Sequence, residues 1–176
     1  VDIFGQSSNI FELRNIALEF NLKLLCDTAQ SPGSKINDLY TGTLSDIGGF
    51  SLNYHKHIHT GEGGVLVTND DELALRLKLI RNHGETSVQK AKTTNIVNTL
   101  GGNYRMGEIE AAIGRVQLKN LTIHLQKRID FSNYLNEELS KLEGLNVPKT
   151  RKNCTHVFYT YPILIDIKKI GISRLI

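Results

Sequence analysis

Lys56 follows Ser51 by five residues and stands just ahead of the glycines of Thr60-Gly-Glu-Gly-Gly64. Its stretch reads Gly49-Phe-Ser-Leu-Asn-Tyr-His-Lys-His-Ile-His-Thr-Gly-Glu-Gly-Gly64. This pattern presents an amine to a phosphorylated aldehyde. A serine hydroxyl binds phosphate, a lysine amine condenses with an aldehyde to a Schiff base, and glycines let backbone approach both closely.

Taken singly, each residue has an ordinary reading. Lys56 is then a solvated surface lysine and Ser51 a strand serine. Asp27, in Cys26-Asp-Thr-Ala-Gln30, is then a turn or helix-capping aspartate. Together they meet separate requirements of one cofactor, pyridoxal 5'-phosphate. That ring needs a carboxylate against its pyridine nitrogen to act as an electron sink, and Asp27, at the end of an expected buried strand, is placed to supply it. Gln30 either hydrogen-bonds the ring's phenolic oxygen or caps the following turn.

Other chemistry-bearing residues carry less. His55, His57 and His59 alternate around Lys56 and would share one face of an extended segment, which raises zinc. No further Cys/His/Asp set completes a metal site, so the expectation is histidines lining the cofactor mouth, where one shuttles protons or meets substrate. Thr60–Gly64 lacks both the Walker lysine and the dinucleotide spacing and reads as a flexible turn. His83 and His156 read equally as functional or as hydrogen-bonded structural residues.

The elements that must position these groups alternate between helix and strand, which predicts an α/β domain. Ile10, Leu13, Ala17 and Phe20 predict a helix from about Ser8 to Phe20, capped by Ser7 or Ser8 and ended by Asn21. Leu22–Cys26 reads as a short buried strand delivering Asp27. Asp46–Leu52 is a weaker strand candidate because of Gly48 and Gly49, and Val65–Thr68 a stronger one. Asn69-Asp-Asp-Glu72 opens a helix, with Leu73, Leu77 and Ile80 as its buried face and His83-Gly84 closing it.

Residues 87–102 are polar and aperiodic, hence a loop. A helix with Ile109, Ala112, Ile113 and Val116 on one face follows. An apolar stripe from Leu118 to Leu142 then predicts one long helix or two joined ones, stopped by Gly144. Val157–Ile165 reads as a strand of a second domain. The expected division is 1–117, the C-terminal part of a cofactor-binding large domain, and 118–176, a linking helix and the beginning of a small C-terminal α+β domain.

Bulk properties exclude several classes. With 176 residues, 40 % apolar and 22 % charged, the chain has the composition of a globular protein. A net charge of +3 with no basic run argues against nucleic acid, and no apolar stretch is long enough to span a membrane. Cys26 and Cys154 match no metal spacing and read as reduced thiols of a cytoplasmic protein, with one disulfide as the alternative. Both termini look cut, so the expectation is a piece of a longer protein.

The sequence resembles the DegT/DnrJ family of nucleotide-sugar aminotransferases, within the fold-type I pyridoxal-phosphate enzymes. The likeness rests on Cys26–Gln30, Gly49–Lys56, Thr60–Gly64, Arg81-Asn-His-Gly84 and Gly102-Asn-Tyr-Arg-Met106, with Phe4-Gly-Gln6 and His156-Val-Phe-Tyr159 also fitting. It covers nearly the whole chain, in order. Thr28 stands where alanine is common.

The resemblance implies a mixed, mostly parallel sheet with flanking helices. It implies Lys56 as the Schiff-base lysine and proton-shifting base, Asp27 against the pyridine nitrogen, Gln30 near the ring oxygen and Ser51 on the phosphate. Asn103 would reach the phosphate of the neighbouring subunit's cofactor, which implies a homodimer with shared active sites. Amino transfer from an amino acid, expected to be glutamate, to a nucleotide-linked keto-sugar would serve amino-sugar and polysaccharide biosynthesis.

A keto-inositol acceptor and a non-catalytic cofactor-binding relative are the alternatives. Family members that dehydrate a sugar carry histidine at the lysine position, so Lys56 argues against that branch. The family's glycine-rich phosphate loop and ring-stacking aromatic do not occur in this sequence, so this length of chain alone is expected to be inactive.

Overall fold

A computed structural model describes residues 1–85 and 100–171 of the chain. Most of the loop expected over 87–102, and the last five residues, lie outside these.

The sheet that matters for the site has three strands in the order β1-β4-β5. β1 (Leu25–Asp27) runs parallel to β4 (Ile47–Ser51), with Cys26 opposite Gly48 and Asp27 opposite Gly49. β5 (Gly64–Val67) returns antiparallel and sets Ser51 opposite Gly64. The glycines that weaken β4 as a sequence pattern are required by its surroundings. A Cβ at Gly48 would collide with the Gly42 carbonyl, so a loop crosses the strand where it has no side chain.

β1 departs from expectation. It begins at Leu25 rather than Leu22 and is not buried: Leu25 is 65 % exposed and only Cys26 is enclosed. It lies at the edge of the three-stranded sheet. A small hairpin passed over in the sequence joins β2 (Lys35–Ile36) to β3 (Leu39–Tyr40). Its turn residues Asn37 and Asp38 both have positive φ, 49° and 62°, the twist that two-residue hairpins favour.

Among the helices, α1 (Ile10–Glu19) buries Ile10 and Ala17 but leaves Leu13 and Phe20 exposed, and Asn9 rather than a serine precedes it. α2 (Asp71–Arg81) starts as read. The Asp70 carboxylate accepts the N–H groups of Glu72 and Leu73 at 2.9 and 3.1 Å. Its most buried residue is Leu79, whereas Ile80 is exposed. The long stripe resolves into α3 (Glu108–Lys119) and α4 (Leu121–Leu139), broken at Asn120. Ile109, Ile113 and Val116 face outward, while Leu125 is buried under Gly33.

The expected strand over Val157–Ile165 is not continuous. Only Leu164–Ile165 (β7) pairs, with β6 (Leu145–Asn146), ahead of the short α5 (Ile167–Ile170). Phe158 turns to φ 46°, which ends any extended run there. Residues 156–159 pair instead with the N-terminal turn: Val157 N donates to Gly5 O at 2.7 Å and Tyr159 N to Phe4 O at 2.9 Å. Gly5 must be glycine, since its φ is 114° and a Cβ would meet the Phe158 nitrogen.

The core gathers Ile10, Cys26 and Ile36, with Phe11, Leu24, Leu44 and Cys154 packed on it. Both cysteines are free thiols. Among the described residues no helix is long and apolar enough to cross a membrane.

Candidate active site

Asp27 and Ser51 are the last residues of β1 and β4, neighbouring parallel strands. Ligands of open α/β sheets gather beyond the carboxyl ends of parallel strands, and both residues stand at that edge. The Asp27 Oδ1 accepts the Ala29 N–H at 3.0 Å, and its backbone oxygen accepts Asp2 N at 2.8 Å. Among the described residues nothing bonds Oδ2, and the residue is exposed. Ser51 Oγ accepts Asn53 N at 3.2 Å, which leaves its hydrogen free to donate.

After Ser51 the chain makes a closed loop rather than an extended segment. Leu52 N donates to Gly63 O at 2.8 Å and Thr60 N to Leu52 O at 2.9 Å, drawing its ends together. Asn53 Nδ2 donates to Glu62 Oε1 at 2.7 Å across it. Within the loop Lys56 N donates to Asn53 O at 2.9 Å, so Lys56 sits on a tight turn, half-buried. Its Nζ lies 4.4 Å from the centre of the Tyr159 ring. No described carboxylate pairs with it.

Because the segment turns, the three histidines do not share a face. His55 is exposed, its ring 3.8 Å from that of Tyr54. His57 is buried and its Nε2 lies 3.0 Å from Val157 O. His59 is half-buried with an unpartnered Nδ1. Burial pushes the His57 imidazole down to about 4, and the Arg128 and Lys56 charges add to this, against the opposing Val157 bond. Enclosed and set against Val157 O, His57 does not line an open mouth as expected. Among the described residues no group of three or more His, Cys, Asp or Glu is placed to hold a metal.

Gln30 is near the site but partly committed: its Oε1 accepts Phe4 N at 2.7 Å, leaving the amide hydrogens available. Asn103 is not brought to the other four. It bridges Asn82, its Oδ1 accepts Arg105 N at 3.5 Å, and it is exposed.

Two features have no local signature in the sequence. Asp2, 1 % exposed, accepts Ser8 N at 2.6 Å, Cys26 Sγ at 3.1 Å and Thr28 Oγ1 at 2.9 Å, bracing both neighbours of Asp27. His57 and Lys56 meet residues 157 and 159.

The turn that carries Lys56 thus follows the strand end that holds Ser51, beside the end of β1 that holds Asp27, at one edge of an α/β sheet. The whole chain, residues 1–176, matches the DegT/DnrJ/EryC1/StrS aminotransferase family, and the protein belongs to it. It is 33 % identical over 168 residues to the UDP-4-amino-4,6-dideoxy-N-acetyl-beta-L-altrosamine transaminase of Campylobacter jejuni (serotype O:23/36), covering 94 % of this chain and 43 % of that protein.

The structure superposes on the Helicobacter pylori aminotransferase involved in pseudoaminic acid biosynthesis, with a TM-score of 0.86, 28 % identity and coverage of 99 % and 46 %. It likewise matches the E. coli GDP-4-keto-6-deoxy-D-mannose-3-dehydratase solved with bound hydrated PLP, with a TM-score of 0.80, 28 % identity and coverage of 94 % and 45 %. The architecture is therefore part of a fold-type I aminotransferase fold. The chain spans less than half the length of these relatives.

Proposed function

We propose that the protein carrying this chain transfers an amino group from an amino acid, glutamate in the first instance, to a nucleotide-linked keto-sugar, using pyridoxal 5'-phosphate. The observation that carries the reading is the placement of Asp27 and Ser51 at the ends of paired parallel strands, with Lys56 on the turn that follows. Family membership and the sugar transaminases among the relatives support it.

The residues fit the cofactor. Asp27 offers an exposed carboxylate with a free Oδ2, Ser51 a free hydroxyl hydrogen, and Lys56 an amine without a described carboxylate partner. When bound, the cofactor supplies an electron sink for bonds broken next to the donor nitrogen. Asp27 would keep the pyridine nitrogen protonated, Ser51 would donate to the phosphate, and Gln30 Nε2 would donate to the ring oxygen. Lys56 Nζ would hold the cofactor at rest and then carry the proton during transfer.

In this reading residues 1–117 complete the cofactor-binding domain and 118–176 lead into a smaller one. Asn103, exposed, would serve a second subunit's cofactor across a homodimer with shared active sites. The two free thiols fit a cytoplasmic setting. The relatives include UDP-, GDP- and dTDP-sugar enzymes, so acceptors carrying each of these nucleotides belong in the test.

The test uses the full-length protein with keto-sugar nucleotides and keto-inositols as acceptors and glutamate or glutamine as donors. A visible cofactor band abolished by Lys56→Ala, with turnover on a keto-sugar nucleotide, is the expected result. No band in the unsubstituted protein sinks the reading.

A further inference from the structure

We infer that His57 is a positioning residue: as the Nε2–H tautomer it ties the Lys56 turn to the Val157 carbonyl and so sets where the lysine amine stands. The inference rests on the aminotransferase reading, because it concerns how that reading's lysine is held.

The two residues of this tie are among the most enclosed in the molecule, His57 at 6 % and Val157 at 1 % exposure. A carbonyl only accepts, so the ring nitrogen 3.0 Å from Val157 O must carry the hydrogen. That assigns the tautomer by partner rather than by an observed proton. Nδ1 is then the bare nitrogen, buried and without a partner among the described residues. Charging the ring would put a second hydrogen on that orphan atom, beside Lys56 and Arg128, which agrees with the depressed basicity of the ring.

Val157 is itself well anchored. Its N–H donates to Gly5 O, and the next carbonyl, that of Phe158, accepts Arg128 Nη1 at 3.3 Å. Consecutive carbonyls thus hold His57 on one side and α4 on the other. Lys56 and His57 grip the same segment one after the other: Lys56 Nζ over the Tyr159 ring, His57 Nε2 on Val157 O, with the His57 and Tyr159 rings 5.7 Å apart. Without His57, the described backbone bonds that fix the Lys56 turn are those of its own loop, Lys56 N to Asn53 O and Thr60 N to Leu52 O. The turn would survive, but it would be registered against the 156–159 segment by the Lys56–Tyr159 contact alone.

The experiment follows capture of added pyridoxal phosphate by the apo form of the full-length protein, read as growth of the visible band per folded molecule. His57→Leu is expected to slow capture about 3–10-fold, the loss of one buried hydrogen bond. His57→Gln, whose Nε2 donates from a similar position, is expected to stay within about threefold of the unsubstituted rate. A merely space-filling histidine would not be rescued by glutamine in preference to leucine.

Histidine-selective 15N spectra, assigned against His57→Gln, give a readout independent of the cofactor and of whether His57→Leu folds. They should show a neutral ring protonated at Nε2; an Nδ1–H tautomer or a charged ring at pH 7 overturns the proposal. Unchanged capture by folded His57→Leu overturns it too, and leaves the aminotransferase reading standing. If the unsubstituted protein captures no cofactor, both fall together.

Discussion

Lys56 Nζ rests 4.4 Å from the centre of the Tyr159 ring, so the turn after β4 leans on a segment near the other end of the chain. A half-buried ammonium over an aromatic face gains about 1 kcal/mol, and the phenol hydroxyl plays no part in that contact. In the cofactor-free full-length protein, Tyr159→Phe should therefore leave stability within about 0.5 kcal/mol, while Tyr159→Leu costs more through lost ring packing. A urea-denaturation cycle combining Lys56→Met with Tyr159→Leu isolates the pair. A coupling of about 0.5–1 kcal/mol is expected; additive losses would remove the contact from the account.

Cys26 is enclosed at 4 % exposure, donates to the Asp2 carboxylate, and its thiol is pushed up to about 11 chiefly by burial. Nucleophilic attack requires the thiolate, so at pH 8 Cys26 should resist a thiol reagent until the protein opens. Asp2→Ala removes the acceptor of Cys26, Thr28 and Ser8 together, at a cost of about 2–4 kcal/mol. Counting modified thiols by mass, with and without urea, checks the first claim. Rapid labelling of native Cys26 would contradict the burial argument.

His57 and His156 are both held near 4, against 6.5 when unperturbed, with burial as the leading cause. His156 also uses Nδ1 to accept Phe158 N at 3.0 Å, a bond its protonation would break. The folded pKa lies below the unfolded one, so between these values the unfolded chain binds more protons. Stability is then fully present above about 6.5 and drains away as pH falls toward 4. Each ring should account for about 2 kcal/mol of loss between pH 7 and pH 5. Asp46, held down by the Leu24 N–H and by Lys23, extends the same slope at lower pH. The urea midpoint of the unsubstituted protein should therefore be clearly lower at pH 5 than at pH 7. In the double variant His57→Gln, His156→Asn the difference should shrink.

The sequence is most legible where chemistry is local. Asp70 caps α2 through N–H groups two and three residues on, and Asn21 ends α1 with φ 50°; both follow from residue type and position alone. Asp27 can be placed at a strand end because the apolar run Leu22–Cys26 stops there. Ser51 reads as a serine inside the expected strand Asp46–Leu52, and only the fold shows that it ends β4. The misreadings come from what neighbours impose. Val157–Ile165 has the composition of a strand, yet Phe158 turns to φ 46° and its two neighbours, Val157 and Tyr159, pair with Gly5 and Phe4. His55, His57 and His59 alternate in sequence, yet the tie between Leu52 and Thr60 bends the segment and sends His57 inward. Contacts such as His57 with Val157 span most of the chain and leave no periodic trace to read.

The adjacent glycines of β4 give the last test, because they weaken the strand equally as a pattern and differ completely in their surroundings. At Gly48 a Cβ would strike the Gly42 carbonyl, carbon and Cα, all backbone atoms of a loop that itself turns at φ 79° and packs on Phe50 and Thr28. Backbone so fixed has no flexible end to swing aside, so Gly48→Ala must push the loop off the strand or fail. At Gly49 the nearest atoms are the Leu66 side chain at 3.4 Å and Cys26 O at 3.9 Å, ordinary contacts. Gly48→Ala should cost on the order of 3 kcal/mol or more, and Gly49→Ala less than about 1 kcal/mol. Gly48 pairs with Cys26 and Gly49 with Asp27, so displacement at Gly48 also shifts the strand that delivers the carboxylate. The Gly48 variant should therefore lose cofactor capture along with stability, whereas the Gly49 variant keeps both. Equal melting temperatures for the two alanine variants would show that the loop does not cross β4 as described.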